Sequence, residues 1–292
     1  MEDLLKEIRQ LNINIRRIAD FLSPVTDAAV LDRHRAFRAH TENNRLLLAG
    51  IASPDPVRLR ELTGIDDIVA RLRANTEQFM EGLPSNNVLL YGPRGTGKSS
   101  AVKALLNEYG PKGLRIIEIP KNALLHIFEI QEVVRKRPEK YVLFCDDLSF
   151  NEDDDSYVPI KTVLEGGLET RPENAIIYAT SNRRHLMPER IADNMPVFSD
   201  GELQPAETLE EKMSLSDRFG LRLGFEHYSA DIYLEIIGNY AKIRKIKVNS
   251  DELRRSALEW SLFQGSFSGR AARQFIDDLE GRLKKGRTRQ TI

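Results

Sequence analysis

The stretch Asn87-Val-Leu-Leu-Tyr-Gly-Pro-Arg-Gly-Thr-Gly-Lys-Ser-Ser-Ala-Val-Lys-Ala-Leu-Leu106 decides the fold. Its first five residues form a short, largely apolar run typical of a buried strand, and Ser99–Leu106 has the composition of a helix. Between them stands Gly-x4-Gly-Lys-Ser, the phosphate-binding motif in the strand–loop–helix setting that it requires. The sequence therefore predicts the core of a P-loop nucleoside triphosphatase.

The residue types of this loop suit the chemistry of a triphosphate. Glycines let backbone N–H groups approach phosphate oxygens, and the start of the following helix adds the positive end of a dipole. Lys98 would place a charge on the β- and γ-phosphates, and Ser99 would supply an oxygen ligand to Mg²⁺. ATP and Mg²⁺ are therefore the predicted ligands. The predicted binding residues of the loop are Gly92, Pro93, Arg94, Gly95, Thr96, Gly97, Lys98, Ser99 and Ser100.

Two later apolar runs end in polar residues that would complete this site. Tyr141-Val-Leu-Phe-Cys-Asp-Asp147 supplies two carboxylates, of which Asp146 would hold Mg²⁺ with Ser99 and Asp147 would polarise the attacking water. An aspartate pair that caps the next helix is the alternative interpretation. In Ile176-Ile-Tyr-Ala-Thr-Ser-Asn182, the final amide would orient water against the γ-phosphate.

Two arginines lie further along the chain, where a positive charge could reach a triphosphate. Arg218 ends a helix just before the last strand, and Arg270 opens the last helix. A guanidinium offers permanently charged donors to phosphate oxygens. Arg218 could instead form an ion pair at the helix end with Asp217 or another nearby acid. Arg273, one turn along the last helix, could replace Arg270.

Strand and helix signals divide the chain into three parts. Residues 1–60 show helical spacing of apolar residues between Leu4 and Leu22, which predicts an N-terminal helical region. Residues 61–228 alternate strands with helices, which predicts an α/β nucleotide-binding core with a five-stranded parallel sheet between helices. Residues 229–292 predict a C-terminal helical lid and a basic tail. The predicted strands are Asn87–Tyr91, Leu114–Ile119, Tyr141–Asp146, Ala175–Thr180 and Leu221–Phe225, and the predicted lid helices are Ser229–Ile243, Asp251–Phe263 and Ser268–Lys284.

The bulk composition narrows the class of protein. The formal net charge is −1, so no global charge favours nucleic acid or an anionic membrane. The single cysteine, Cys145, excludes an internal disulfide framework, fits a reducing compartment and reads as a small buried hydrophobe. Neither a signal peptide nor a membrane span is visible, so a cytoplasmic protein without a membrane partner is expected. The basic stretch Arg282–Arg289 is either a solvated end or a contact for nucleic acid or an acidic partner.

The motifs appear from Gly92 to Arg270 in the order Walker A, Walker B, sensor 1, arginine finger and sensor 2, which resembles the AAA+ ATPases. More narrowly, the chain resembles a bacterial AAA+ ATP-binding family catalogued as a domain of unknown function (number 815). Residues 87–100, 146–150, 164–167 and 178–186 carry this resemblance, which extends over roughly residues 60 to 285. It implies an AAA+ fold and ATP binding, and it puts Gly64 and Ile65 at the adenine pocket. Most AAA+ ATPases have glutamate where this chain has Asp147, although helicase loaders of the class also use Asp-Asp.

Three functions are compatible with these residues. An oligomeric motor, a ring or open ring of identical subunits, would hydrolyse ATP to ADP and phosphate and remodel an unknown protein or nucleic-acid client. Arg218 of one subunit would then complete the site of its neighbour. An ATP-dependent switch or loader with slow or client-dependent hydrolysis is the alternative, favoured by the Asp-Asp pair and by the lack of an obvious client-threading loop. A small-molecule kinase also uses a P-loop, but no second substrate site is visible in the sequence.

Overall fold

The computed structural model describes residues 7, 10–12, 28–43, 45–150, 155–166, 170–184, 186, 197–199, 202–204 and 215–290. The apolar stripe predicted between Leu4 and Leu22 lies almost entirely outside these residues. Within the described part of the chain, no helix is both long enough and apolar enough to cross a membrane.

A seven-stranded sheet forms the centre of the molecule, in the order β2-β1-β4-β5-β6-β3-β9. Its neighbouring strands are parallel, except that β1 and β2 form an antiparallel hairpin. The strands of this sheet are β1 (Ala36–Glu42), β2 (Arg45–Gly50), β3 (Val88–Tyr91), β4 (Leu114–Glu118), β5 (Lys140–Cys145), β6 (Ala175–Ser181) and β9 (Leu221–Gly224). A separate antiparallel ribbon consists of β7 (Val197–Ser199) and β8 (Glu202–Gln204).

The five predicted strands are confirmed: four differ from the predicted bounds by one residue at one end, and β5 is shifted by one residue at both ends. Their side chains point alternately to two buried clusters, one on each face of the sheet. Along β5, for example, Val142 and Phe144 face one cluster, and Leu143 and Cys145 face the other. Burial raises the pKa of the Cys145 thiol to about 12, as expected of a small core residue rather than a reactive one.

Two predictions about the N-terminal part are wrong: the sheet has seven strands rather than five, and residues 36–50 are not helical. In β1, Phe37 and Ala39 are buried while Arg38 and His40 are exposed, which is the alternation of a strand with one covered face. The hairpin pairs Glu42 with Arg45, and Asn43, which follows Glu42, has a φ of 50°, a conformation that asparagine tolerates better than most residues. Because β1 pairs with β4, residues 36–50 lie in the same sheet as the core predicted for residues 61–228.

Helices cover both faces of the sheet and then form a C-terminal bundle. The helices of the α/β part are α1 (Ala28–Arg33), α2 (Asp66–Met80), α3 (Lys98–Tyr109), α4 (Ile127–Arg135) and α5 (Val158–Glu165). The bundle consists of α6 (Ala230–Ile243), α7 (Ser250–Gln264) and α8 (Gly269–Gln290), so the three helices predicted for this region are present. The helix α8 continues six residues past the predicted end at Lys284, so the basic stretch forms its last turns.

Candidate functional site

The glycine-rich loop, residues 92–97, connects the carboxyl end of β3 to the amino end of α3. Its glycines Gly92, Gly95 and Gly97 have φ values of 136°, 79° and 98°, in the region that other residues rarely adopt. A Cβ on Gly92 would overlap the carbonyl oxygen of Phe225, and one on Gly95 would lie 2.9 Å from the Cβ of Ser268. Backbone conformation and lack of space therefore both require glycine at these two positions.

Thr96 supports the loop from below. Its side chain is 2% exposed, and its hydroxyl donates to the carbonyl oxygen of Pro93 at 2.9 Å. The Thr96 carbonyl oxygen accepts a hydrogen bond from the Tyr228 hydroxyl at 2.5 Å. These bonds fix the shape of the loop from the side that faces the core.

A cavity of about 550 Å³ opens above the loop, and most of the predicted site residues line it. These are Arg94, Gly95, Gly97, Lys98, Ser99, Ser100, Asp146, Asp147, Asn182 and Arg270. Gly92, Pro93 and Thr96 are not among the lining residues, since they form the base of the loop. The remaining walls are Val57, Glu61, Leu62, Thr63, Lys103, Thr180, Tyr228, Ile236, Tyr240, Gly269 and Arg273. The volume lies within the range usual for small-ligand sites.

Lys98 is held on the floor of this cavity with 6% of its surface exposed. Its Nζ donates to the carbonyl oxygens of Gly92 at 2.7 Å and Pro93 at 2.6 Å, and to the Oδ1 of Asn182 at 3.2 Å. Burial lowers the pKa of Lys98 below its usual value, against the opposite effect of the two nearby carboxylates. Since none of these three acceptors is a carboxylate, the ammonium remains an attractive partner for an anion.

Asp146 brings together two hydroxyl groups at the carboxyl end of β5. Its Oδ1 accepts a hydrogen bond from the Ser99 hydroxyl at 2.6 Å and another from the Thr180 hydroxyl at 2.6 Å. A hydroxyl and a carboxylate side by side are hard oxygen donors, which is the ligand type that Mg²⁺ prefers. The two residues predicted as metal ligands, Ser99 and Asp146, are therefore adjacent and chemically suited to the ion.

Asp147 and Asn182 lie together above Lys98. The Asn182 amide donates to the Asp147 carboxylate, so that Asn182 bridges the lysine and the carboxylate. The Asp147 backbone has a φ of 53°, and its N–H donates to the Thr180 hydroxyl at 2.9 Å. The structure thus brings together the residues predicted to orient water.

Thr180 is the member of this group that sequence reasoning missed. Its side chain is 1% exposed, and its hydroxyl contacts both aspartates, as donor to the Asp146 side chain and as acceptor from the Asp147 backbone. A signal was present, because side chains alternate along a strand and Thr180 therefore faces the same side as Asn182. A hydroxyl on that side of an otherwise apolar run could have been assigned to the site.

Gly64 and Ile65, carried over from the family resemblance to the adenine pocket, do not line the cavity. Gly64 has a φ of 79°, and a Cβ there would lie 2.5 Å from the Cγ2 of Ile232 on α6. Ile65 is 6% exposed and packs in the core behind the loop. The apolar and aromatic walls on this side of the cavity are instead Val57, Leu62, Ile236 and Tyr240.

The two arginines at the start of α8 both line the cavity. The backbone places them there, because the Gly269 N–H donates to the carbonyl oxygen of Gly95 at 2.8 Å. The charge of Arg270 is close enough to help lower the pKa of Lys98. Arg273 lies 3.7 Å from the Asp55 carboxylate. Both arginines therefore remain candidates for the residue that reaches the phosphates from the lid.

Arg218 lies away from this cavity. It precedes β9, whose four residues pair in parallel with β3, so it sits near the amino end of a strand while the loop leaves the carboxyl end of its neighbour. Along a strand of this length the separation is roughly 10 Å or more. Arg218 forms an ion pair with Glu165, the last residue of α5, whereas Asp217 pairs with Arg222. The ion pair with a nearby acid is thus present, but its partner is not Asp217.

The family described as "Protein of unknown function (DUF815)" matches residues 32–283 of this chain. The match includes the glycine-rich loop, both aspartates, Asn182 and the lid arginines. It begins well before residue 60, where the resemblance was expected to start, and so includes the hairpin of β1 and β2.

Solved structures of RuvB from Thermotoga maritima are similar to this chain. One, described as a Holliday junction branch migration motor, shares 16% identity with a TM-score of 0.52, over 80% of this chain and 67% of that one. A single-residue variant of the same protein shares 17% identity with a TM-score of 0.55, over 80% of this chain and 68% of that one. At this identity the likeness establishes the fold, which is that of the AAA+ P-loop nucleoside triphosphatases.

Proposed function

Because this chain belongs to the DUF815 protein family and has an AAA+ fold, we propose that it is an ATPase that binds Mg-ATP and hydrolyses it to ADP and phosphate. One observation carries the proposal. Six polar residues beside the glycine-rich loop are linked by hydrogen bonds into a single group that lines the cavity, and the Asp147 backbone N–H provides the link to Thr180. They are Lys98, Ser99, Asp146, Asp147, Thr180 and Asn182.

The cavity is suited to a nucleoside triphosphate along its whole length. The loop and the amino end of α3 offer backbone N–H groups and a dipole to the phosphates. The cations on its walls outnumber the carboxylates: Arg94, Lys98, Lys103, Arg270 and Arg273 against Glu61, Asp146 and Asp147. At the other end, Leu62 and Tyr240 provide an apolar and an aromatic wall for the base. We therefore assign the phosphates to the loop and the adenine to the side of α6.

Ser99 and Asp146 would hold Mg²⁺, which neutralises charge on the phosphates when it is bound. Asp147 would accept a proton from the attacking water while Asn182 holds that water by its amide. The water oxygen forms a bond to the γ-phosphorus, and the bond from this phosphorus to the β–γ bridging oxygen breaks. Lys98 and a lid arginine stabilise the negative charge that develops.

We propose further that the active form is a homo-oligomer, a ring or open ring, in the cytoplasm. Arg218 does not line the cavity of its own chain and precedes the amino end of β9. In a neighbouring copy it would supply a permanent charge to the transition state. The motions of such an assembly would remodel a protein or nucleic-acid client.

A second candidate is an ATP-dependent switch or loader that hydrolyses slowly until its client binds. The observation that favours it is the state of Asp147, whose short carboxylate is already bound by the Asn182 amide. While this hydrogen bond lasts, the Asn182 amide occupies the carboxylate that would accept a proton from water, so hydrolysis would wait for a partner that rearranges the pair.

Steady-state hydrolysis of Mg-ATP, measured over a wide range of protein concentration without a client, tests these proposals. Lys98→Ala serves as the inactive control, and ATP binding is measured in parallel by calorimetry. We expect a specific activity that rises with protein concentration, because the site is completed between subunits. Binding with negligible turnover at every concentration would favour the switch, and no ATP binding would overturn both candidates.

A further inference from the structure

We infer that Glu165 is a positioning residue for Arg218, which holds the guanidinium in the direction from which it reaches the site of a neighbouring subunit. This inference rests on the proposed function, because it assigns Arg218 to a neighbour's site. Glu165 belongs to the segment 164–167, part of the family resemblance, to which the ATPase site gives no role.

The ion pair joins two distant parts of the chain at the surface. Arg218 follows the short turn of helix before β9, and Glu165 is the last residue of α5. The Arg218 side chain is 22% exposed and the Glu165 side chain is 41% exposed. The Arg218 side chain is therefore mostly covered by the protein, and the Glu165 side chain is more accessible to solvent.

Stability does not account for this arrangement. A carboxylate at the carboxyl end of a helix opposes the helix dipole, and α5 ends there because Gly166 has a φ of 79°. A partly exposed ion pair adds little to the free energy of unfolding. The remaining effect of the contact is on direction, because the ion pair limits the rotamers that a long arginine side chain samples.

A neighbouring ion pair shows that Arg218 does not pair with the acid next to it in the sequence. Asp217 is adjacent to Arg218 in sequence, yet its carboxylate pairs with Arg222 on β9. Arg218 is thus held by an acid from another element, across the surface next to β9. The Asp217–Arg222 pair has similar chemistry in the same place and supplies a matched control.

Mixed assemblies isolate the role of Glu165. Donor subunits carry Asp147→Asn, which disables their own site but leaves Arg218 intact. Acceptor subunits carry Arg218→Ala and an intact Asp147. If the mixture hydrolyses ATP faster than the donors and the acceptors do separately, Arg218 of a donor acts on the site of an acceptor. The donors' own sites are disabled. Adding Glu165→Gln to the donors can therefore change hydrolysis only through their Arg218, which acts on the sites of the acceptors.

We expect Glu165→Gln donors to lower kcat of the mixture about tenfold, because a misdirected catalytic group loses most of its effect. KM for ATP, the melting temperature and the oligomer size should stay unchanged. Glu165→Asp donors should recover part of the loss, and Asp217→Asn donors should behave like the unmodified ones.

Stimulation that survives Glu165→Gln undiminished overturns this inference and leaves the proposed function standing. Greater stimulation also overturns it, since the ion pair would then restrain Arg218 rather than direct it. No stimulation with unmodified donors, in mixtures shown to assemble, overturns the role of Arg218 in a neighbour's site and this inference with it.

Discussion

The two ends of the parallel strands carry their charged residues in different ways. At the carboxyl ends of β3, β5 and β6, six residues are linked by hydrogen bonds around one cavity, and we call them the cavity network. They are Lys98, Ser99, Asp146, Asp147, Thr180 and Asn182. Near the amino end of β9, an ion pair joins Arg218 to Glu165 at the surface, and we call it the finger pair.

This difference suggests that ATP binding needs one chain, whereas full hydrolysis needs two. The cavity network has its partners within the same chain, so we expect a single subunit to bind Mg-ATP. The finger pair lies outside the lining of that cavity, so an effect of Arg218 on hydrolysis would require another copy. Binding and turnover should therefore respond differently to substitutions at the two ends, and the following predictions test this from the largest expected effect to the smallest.

Arg218→Ala should lower kcat about a thousandfold, which is the range expected for loss of an arginine finger. The Kd for ATP should change less than about twofold, because the residue lies outside the cavity of its own chain. Steady-state kinetics and calorimetry on the same sample measure both quantities. Arg222→Ala, which removes a neighbouring arginine in another ion pair, is the control and should leave kcat unchanged. If the affinity for ATP fell as much as kcat, Arg218 would have to contact the nucleotide bound by its own chain, and the distinction between the two regions would fail.

Asp147→Asn should lower kcat about a hundredfold, because the amide cannot accept a proton from water. ATP should still bind, since Lys98, Ser99 and Asp146 remain in place. Single-turnover hydrolysis and equilibrium binding separate the two effects. Undiminished hydrolysis would show that another group activates the water.

Thr180→Val should lower kcat about tenfold and raise the Mg²⁺ concentration needed for half-maximal activity. The variant removes a hydrogen bond to the Asp146 carboxylate and another from the Asp147 backbone N–H. A bond to a charged group such as the Asp146 carboxylate is worth about 1.5–3 kcal/mol. Thr180→Ser keeps the hydroxyl and should restore both parameters. Thr162→Val removes a hydroxyl bond on α5 and is the control that should have no effect. A Thr180→Ser variant as impaired as Thr180→Val would point to packing instead.

The affinity for ATP should fall several-fold as the pH rises to about 10. Burial lowers the pKa of Lys98, so the ammonium loses its proton at a lower pH than an exposed lysine, for which about 10.4 is usual. Its attraction for phosphate is complete below the lowered pKa and is lost as the pH rises through it. Calorimetry from pH 7 to pH 10 measures the change. Lys98→Arg, which keeps its charge over this range, should show a flatter profile.

Most of the cavity network could be predicted because each part lies in a short stretch with its own chemistry. The loop from Gly92 to Ser99, the Asp146–Asp147 pair and Asn182 each follow an apolar run that reads as a strand. Parallel strands then bring these ends together at one edge of the sheet. The three C-terminal helices could be predicted as well, because the spacing of their apolar residues is contained within each helix.

The features that were missed depend on partners far away in the sequence. The strand β1 pairs with β4, which lies more than 70 residues further along, and its own alternation spans only a few residues. Glu165 was not predicted because its partner, Arg218, lies in another element more than 50 residues further along the chain. Gly64 and Ile65 came from the resemblance alone, and it is their neighbours Leu62 and Thr63 that line the cavity.

The hydrogen bond from the Gly269 N–H to the Gly95 carbonyl oxygen makes the start of α8 a pivot on the glycine-rich loop. From that point the helix runs for 22 residues, which corresponds to a rigid arm of roughly 33 Å. A tilt of about 10° at the pivot would displace the far end of such an arm by roughly 6 Å. A change of backbone position at Gly95 would thus be amplified mechanically, and the basic last turns of α8 would travel furthest.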